Sequence, residues 1–564
     1  MYKRWIEIIR DLVKEDRKYI LTFIFSQIFP WSFFIFNNSK STSMMYALSE
    51  FIKASETLFG IFGIFILVAL IVKYLFRNKY KKILLFLIIL NFIGNTLDML
   101  IYLNFGTQIS PEMLNILFES NKNEASEFLS FYLNKNILFV GVYYLIGILM
   151  LFKIKKHIFI KSLIISVLVL IIGINILDIQ GSTYFRKTYI YKNISRSYSR
   201  YKKAIKETNR IMATFDERFK NTKVLDNVDE GTYVLIIGES FSKYHSSLYG
   251  YPRDTSPNLK KRYDQGEIIK FDNVVSPHHF TRDTLLKLVT DYSYDSKQSF
   301  AESMNIIDLF KKAGYKTFWL SNQEDFIYNG AGLSSVVNRA DEVIFTEKSM
   351  SDAKIKLDDS SLLPFINQAL NDSSKKKFIV VHLFGSHMDY KHRYPKEFEY
   401  FNLSLEEEYF TKLQKENKKI VNEYHNAIRF SDYLVNEVIS LTEKTSENSY
   451  VFYLSDHGQI VYDDNTKYVG NTLPTLNIKA VEIPMLVWIS KSYRELNKNK
   501  IEFMKKVRDK KFSSENIIYS LINLSNFKYD GYDSKKDLFN EDFEEKDRQI
   551  SSEGLIYEEL KKEV

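Results

Sequence analysis

Cysteine is absent from the 564 residues. That excludes a disulfide framework, a zinc–thiolate centre and a cysteine nucleophile. A large domain with its own core does not need disulfides, even outside the cytoplasm. A cleavage site of small residues is also missing after the first apolar stretch, so that stretch is expected to remain as an anchor. Charge of one sign does not dominate: 77 Lys and Arg face 69 Asp and Glu, a net +8. Much of the basic excess flanks apolar runs, where anionic membrane lipid is a simpler partner than nucleic acid. No nucleic-acid partner is expected.

What is present divides into two halves. Length suits a membrane unit followed by a domain of about 300 residues. Five apolar stretches are long enough to span a bilayer: Tyr19–Phe36, Leu58–Phe76, Ile83–Leu103, Asn136–Phe152 and Ile158–Leu177. Lys73 can snorkel from its helix end. Asp98 is either a functional charge at depth or an interfacial residue. Lys3, Arg4, Arg10, Lys14, Arg17 and Lys18, the RNKYKK loop and the KIKKH loop lie on one side. The positive-inside rule makes that side cytoplasmic and puts everything after Leu177 outside.

The expected domains are a five-helix transmembrane unit over 1–180 and a bridge over 181–225. A catalytic domain over 226–530 and a charged, peripheral tail over 531–564 follow. The bridge mixes basic residues with Tyr and Ile, as an amphipathic helix on the membrane surface or an ordinary linker helix would.

From about Asp226 short apolar runs alternate with helical patterns. YVLIIG (Tyr233–Gly238), KTFWL (Lys316–Leu320), FIVVHLF (Phe378–Phe384), YVFYL (Tyr450–Leu454) and PMLVWI (Pro484–Ile489) predict strands. This is the pattern of an α/β domain with a mostly parallel central sheet, whose site forms beyond the carboxyl ends of the strands. Glu239 follows the first run, Asp456 and His457 follow the fourth, and His387 lies just past the third. Carboxylates with imidazole and no thiolate suit Zn2+ or Mn2+. Thr281 stands where NVVSPHHF passes into a helical pattern. A hydroxyl there is either a nucleophile beside helix amides and metal, or a helix N-cap.

These residues resemble those of phosphoethanolamine transferases in the alkaline phosphatase/sulfatase superfamily. The segment Gly238–Leu259, GESFSKYHSSLYGYPRDTSPNL, carries most of the likeness, with SDHG (Ser455–Gly458) and GSHMDYKHRYP (Gly385–Pro395). The resemblance implies an alkaline phosphatase/sulfatase-like fold behind five helices. It implies one Zn2+ on Glu239, Thr281, Asp456 and His457, with Mn2+ as an alternative. Thr281 becomes the nucleophile that carries phosphoethanolamine from phosphatidylethanolamine, and diacylglycerol leaves. His387 matches a histidine near the substrate phosphate. Ser120 and Glu124, in ESNKNEASEFL (Glu119–Leu129), fall where the headgroup pocket is lined.

A second family histidine is expected in a Gly-His step, and the matching step here is Gly470-Asn471. Asn471 can hydrogen-bond a phosphate but ligates metal poorly, which puts a second zinc in doubt. The family's basic residue beyond KTFWL is also missing; WLSNQ offers amides. These departures point to a branch acting on an acceptor other than the best-known lipid A, although lipid A, a lipooligosaccharide core, another cell-envelope glycan or a protein would all fit. The resemblance puts the enzyme in a bacterial inner membrane facing the periplasm. The rivals are a glycerol-phosphate transferase of the lipoteichoic acid synthase type and a non-catalytic membrane scaffold. Sulfatase chemistry needs C/S-x-P-x-R, which is absent.

Overall fold

The computed structural model describes residues 16–26, 62–63, 65–76, 79–105, 215–226, 228–323, 331–346, 358–402, 415–463, 469–470 and 477–563, with a few isolated positions besides. The chain divides into two units, one within the first 201 residues and one containing Lys202–Val564.

In the N-terminal unit the longest described helix is α1, Tyr80–Phe105. Its side chains are described to Asn95. Tyr80, Leu84, Ile88 and Phe92 recur at helical spacing and pack on Tyr19, Ile20, Phe23, Phe62, Phe65 and Ala69. The opposite faces stay apolar, with Phe86 at 62% exposure and Leu67 at 58%. Lys73 does not snorkel. It is buried and pairs with buried Asp16 at 2.7 Å, because an ion pair inside the packed helices satisfies both charges. Asn91 Nδ2 donates to Ser26 Oγ at 2.7 Å. Among the described residues no helix is long and apolar enough to cross a membrane. Of the expected spans, Ile83–Leu103 lies within α1 and most of Leu58–Phe76 is described. The first is described only to Ser26, and the last two, like the Asp98 side chain, fall almost wholly outside the described residues.

The second unit is built on a seven-stranded sheet. Its strands are β1 (Gly231–Gly238), β2 (Ile268–Phe271), β3 (Lys316–Ser321), β4 (Glu342–Phe345), β5 (Lys376–His382), β6 (Ser449–Ser455) and β7 (Met485–Ile489). Their order is β2-β7-β6-β1-β5-β3-β4. All eight residues of β1 are buried, the continuous apolar run of a strand covered on both faces. Phe310 stacks on Phe378 at 3.7 Å and Tyr233 on Tyr450 at 4.5 Å, filling the layer beside β1, β5 and β6.

The mostly parallel expectation is corrected at one edge. β6, β1, β5, β3 and β4 are parallel, but β7 runs antiparallel to both β6 and β2. A parallel return needs a crossover of a dozen or more residues, usually helical. Between β6 and β7 the described residues hold only the short turn Ile478–Ala480 as helix, so the chain comes back beside β6 in the opposite direction.

Residues 531–563 are not peripheral either. Leu538 and Phe539 join the main core, and Ile550 and Tyr557 pack with Val275, Ile478 and Val481. The charges that suggested a tail are on its outer side: Lys535, Glu544 and Lys546 are exposed, while Arg548 is buried against Glu558 and the Asn273 carbonyl.

Candidate metal and phosphoryl site

The register of the parallel strands builds the site. Gly238 sits opposite Ser455, and Ile237 opposite His382, so three strands end level. The next residue of β1 is Glu239, and Asp456 N donates to the Gly238 carbonyl at 3.0 Å. Glu239, Asp456 and His457 are all buried, with ligand atoms within 4.8 Å of one another. His457 Nε2 stands 3.4 Å from Glu239 Oε1 and 3.3 Å from Asp456 Oδ2.

Thr281 is the first residue of α2 (Thr281–Leu288), whose N-cap is Phe280. Its hydroxyl therefore does not cap the helix. Oγ1 donates to Glu239 Oε2 at 3.1 Å and lies 3.2 Å from His457 Nε2. The four expected ligands thus converge on one point.

The donor set fits a divalent cation. Asp456 Oδ1 accepts from Ser240 N at 3.0 Å and from His457 N at 2.6 Å, while Oδ2 is buried with no hydrogen-bond partner. His457 Nδ1 contacts the Gly458 carbonyl at 2.7 Å. A carbonyl can only accept, so Nδ1 donates to it, and Nε2 is the ring nitrogen that faces the carboxylates. Burial first, then the Glu239 charge, pushes the Asp456 carboxyl well up. Burial opposes charge on His457, but Asp456 and Glu239 more than offset it, lifting the imidazole to about 9. For Glu239 burial is again outweighed, here by the hydrogen bond and charge of His457, and the carboxyl falls below its usual range. Buried acidic groups in contact with the imidazole thus favour positive charge at this point, which a divalent cation would supply with Nε2 as one of its ligands.

The surrounding residues aim these groups. Ser240 has φ 57°, a left-handed position for a non-glycine residue, stored where the chain turns Glu239 inward. Ser240 Oγ donates to Glu239 Oε1 at 2.7 Å. His387 ends a turn whose Ser386 N donates to the Glu239 carbonyl at 3.0 Å, and its charge bears on the Glu239 carboxyl. Gly385, at φ 53°, lies so close that an added Cβ would stand 2.8 Å from the Glu239 carbonyl oxygen. Gly385→Ala is expected to cost about 2 kcal/mol of stability and to weaken divalent-metal binding. Urea unfolding with and without metal checks this; unchanged values would mean the turn can shift.

Sequence reasoning missed three contributors. Gln323 Nε2 donates to Glu239 Oε2 at 3.2 Å and to the Leu383 carbonyl at 3.0 Å. Its place two residues beyond β3 was the signal, by the strand-end rule already applied to Glu239. Ser240 adjoins Glu239 and could have been found the same way. Buried Asp359 accepts from the Phe384 and Gly385 amides, each at 2.8 Å, and had no sequence signal. Ser120, Glu124 and Asn471 lie outside the described residues.

Comparison with known proteins agrees with this geometry. The family model described as Sulfatase matches residues 231–527. Phosphoethanolamine transferase EptC of Escherichia coli strain K12 is 27% identical over 507 residues, 86% of each chain. Phosphoethanolamine transferase CptA of Salmonella typhimurium is 28% identical over 476 residues, 80% of this chain and 81% of that one. The crystal structure of the C-terminal periplasmic domain of EptC from Escherichia coli, a complex with Zn, superposes with a TM-score of 0.54 at 27% identity. It covers 60% of this chain and 96% of that one. The integral membrane protein EptA from Neisseria meningitidis shares the fold, with a TM-score of 0.68 at 19% identity over 93% of this chain and 98% of that one. The Sulfatase match spans more than half of the chain and takes in Glu239, Thr281, Asp456 and His457; the chain belongs to the sulfatase family.

Proposed function

We propose that this protein moves phosphoethanolamine from phosphatidylethanolamine, by way of Thr281, to a cell-envelope lipid or glycan. The observation that carries the proposal is the Thr281 hydroxyl, set between Glu239 and His457 beside the unpartnered Asp456 oxygen. The EptC and CptA relatives and the zinc-complexed EptC domain support it.

Glu239, Thr281, Asp456 and His457 would hold Zn2+, which when bound supplies Lewis acidity that lowers the hydroxyl pKa. Thr281 Oγ1 bonds to phosphorus as the bond from phosphorus to the diacylglycerol oxygen breaks. The hydroxyl proton leaves along the contact to Glu239 and ends on the departing diacylglycerol oxygen. His387 donates to the phosphoryl oxygens as charge builds on them. An acceptor hydroxyl or phosphate then bonds to phosphorus as the bond from phosphorus to Thr281 Oγ1 breaks, and the acceptor's proton passes to Oγ1 and restores the hydroxyl. Asn471 takes the role of a phosphate donor. Ser120 and Glu124 hold the ammonium headgroup.

The N-terminal unit is the membrane anchor in this scheme, with the catalytic unit outside the cytoplasmic membrane. The outward apolar surface of its helices, including Phe86, Leu67, Leu75 and Ile93, supports that role.

Detergent-purified full-length protein given headgroup-labelled phosphatidylethanolamine should release diacylglycerol and gain a phosphoethanolamine adduct on the Thr281 peptide. Chelator should prevent both. Zinc-loaded protein that makes no adduct, yet consumes phosphatidylglycerol, would assign the donor to the glycerol-phosphate rival.

A further inference from the structure

Behind the site lies a buried chain of side chains that the proposed chemistry does not use. Arg253 Nη1 donates to Asn422 Oδ1 at 2.8 Å and meets His425 Nδ1 at 2.7 Å. His425 Nε2 meets His245 Nδ1 at 2.9 Å, and His245 Nε2 reaches both oxygens of Asp463 at 3.2 Å. All four residues of the chain are at least nine-tenths buried.

The proton positions in this chain follow from one fact: a guanidinium only donates. His425 Nδ1 must therefore accept, so its proton is on Nε2. That proton is donated to His245 Nδ1, so the His245 proton is on Nε2 and goes to the Asp463 carboxylate. Each link has a single direction, from Arg253 through two neutral imidazoles to Asp463. The carboxylate is completed by the Val461 amide at 2.8 Å and Lys479 Nζ at 3.3 Å.

The chain joins three pieces of the fold. His245 and Arg253 belong to the segment that follows Glu239. Asp463 closes the segment that follows His457, where Ile460–Val461 pairs with Val469–Gly470. His425 and Asn422 stand on α3, Lys415–Thr445. Their neighbour Tyr424 donates to the Ser240 carbonyl at 2.9 Å and accepts from the Ser242 amide at 3.0 Å. The Glu239 loop and the His457 loop are thus fastened to one helix and to each other.

We propose that His245 and Asp463 are positioning residues for the metal centre, holding the Glu239 and His457 loops in register through this one-way relay. The inference rests on the zinc-dependent transfer proposed above. Full-length protein in detergent is compared as wild type, His245→Phe, His245→Gln and Asp463→Asn. Zinc affinity is read by competition with a chromophoric chelator, alongside kcat, KM for phosphatidylethanolamine and thermal midpoint.

Phe keeps an aromatic ring against Tyr251 and Tyr424 but breaks the relay. His245→Phe should lower zinc affinity and kcat each by about tenfold or more, with KM within about twofold. Gln can accept from His425 and donate to Asp463, so His245→Gln should recover most of both. Asp463→Asn should fall between, and it carries the same test if the Phe variant does not fold. Zinc affinity and kcat within twofold of wild type in His245→Phe, or losses that Gln does not rescue and that follow the thermal midpoint, would overturn the inference. Wild-type protein that binds no zinc would overturn the functional proposal first.

Discussion

Thr281→Ala is expected to abolish the transfer, with turnover falling by at least about a thousandfold. From the first turn of α2 the hydroxyl reaches both Glu239 and His457. Alanine leaves the helix intact, since Thr281 is not its cap. The fold should therefore survive, and the loss should appear in chemistry rather than in stability. Zinc should still bind, more weakly, because three ligands remain. Thr281→Ser retains a hydroxyl at the same place and should keep activity within about tenfold. Peptide mass at position 281 is the decisive measurement. A phosphoethanolamine adduct found on another residue of the Ala variant, or diacylglycerol released at the wild-type rate, would remove Thr281 from the mechanism.

Asp456→Asn is expected to have opposite effects on binding and on stability. Asp456 Oδ2 is buried without a partner, and burial together with Glu239 pushes its carboxyl well up. In the metal-free protein that oxygen has no hydrogen bond to lose, only its charge contact with His457 Nε2 at 3.3 Å. Replacing the carboxyl by an amide keeps the oxygen that accepts from Ser240 and His457 and removes the charge facing Glu239. The metal-free variant should thus be as stable as the parent, or more so. Zinc affinity should drop about a hundredfold or more, because one of four ligands loses its charge. Thermal unfolding with and without zinc separates the two effects. A metal-free variant that melts well below the parent would mean that Asp456 has a structural role as well.

What could be read from the sequence follows from how local each determinant is. The buried strands β1, β5 and β6 announce themselves as unbroken apolar runs, and a polar residue directly after such a run must sit at the sheet end. Glu239, Asp456 and His457 were legible for that reason. β2 and β4 were not, because Ile268–Phe271 and Glu342–Phe345 are four residues each and carry charges within the strand. The reversed direction of β7 was not legible either: PMLVWI reads alike in both senses. Residues 531–563 were misjudged because their charges outnumber their anchors, yet Leu538, Phe539, Ile550 and Tyr557 are enough to seat them. Asp359 and the His245–His425 contact depend on partners far off in the chain, and nothing local marks them.

The central position of β1 also bears on how the protein is made. β1 leaves the ribosome with eight residues that the folded sheet will bury and two open edges, and its partners β5 and β6 begin at residues 376 and 449. Ser240 and Asp456 meet across 216 residues of chain. Until the later strands arrive, this segment is a template for pairing with other chains, and high contact order slows its rescue. That exposure lasts from the completion of β1 at Gly238 to the completion of β6 at Ser455. The metal-binding pocket therefore cannot be complete before Asp456 and His457, just past β6, have been made.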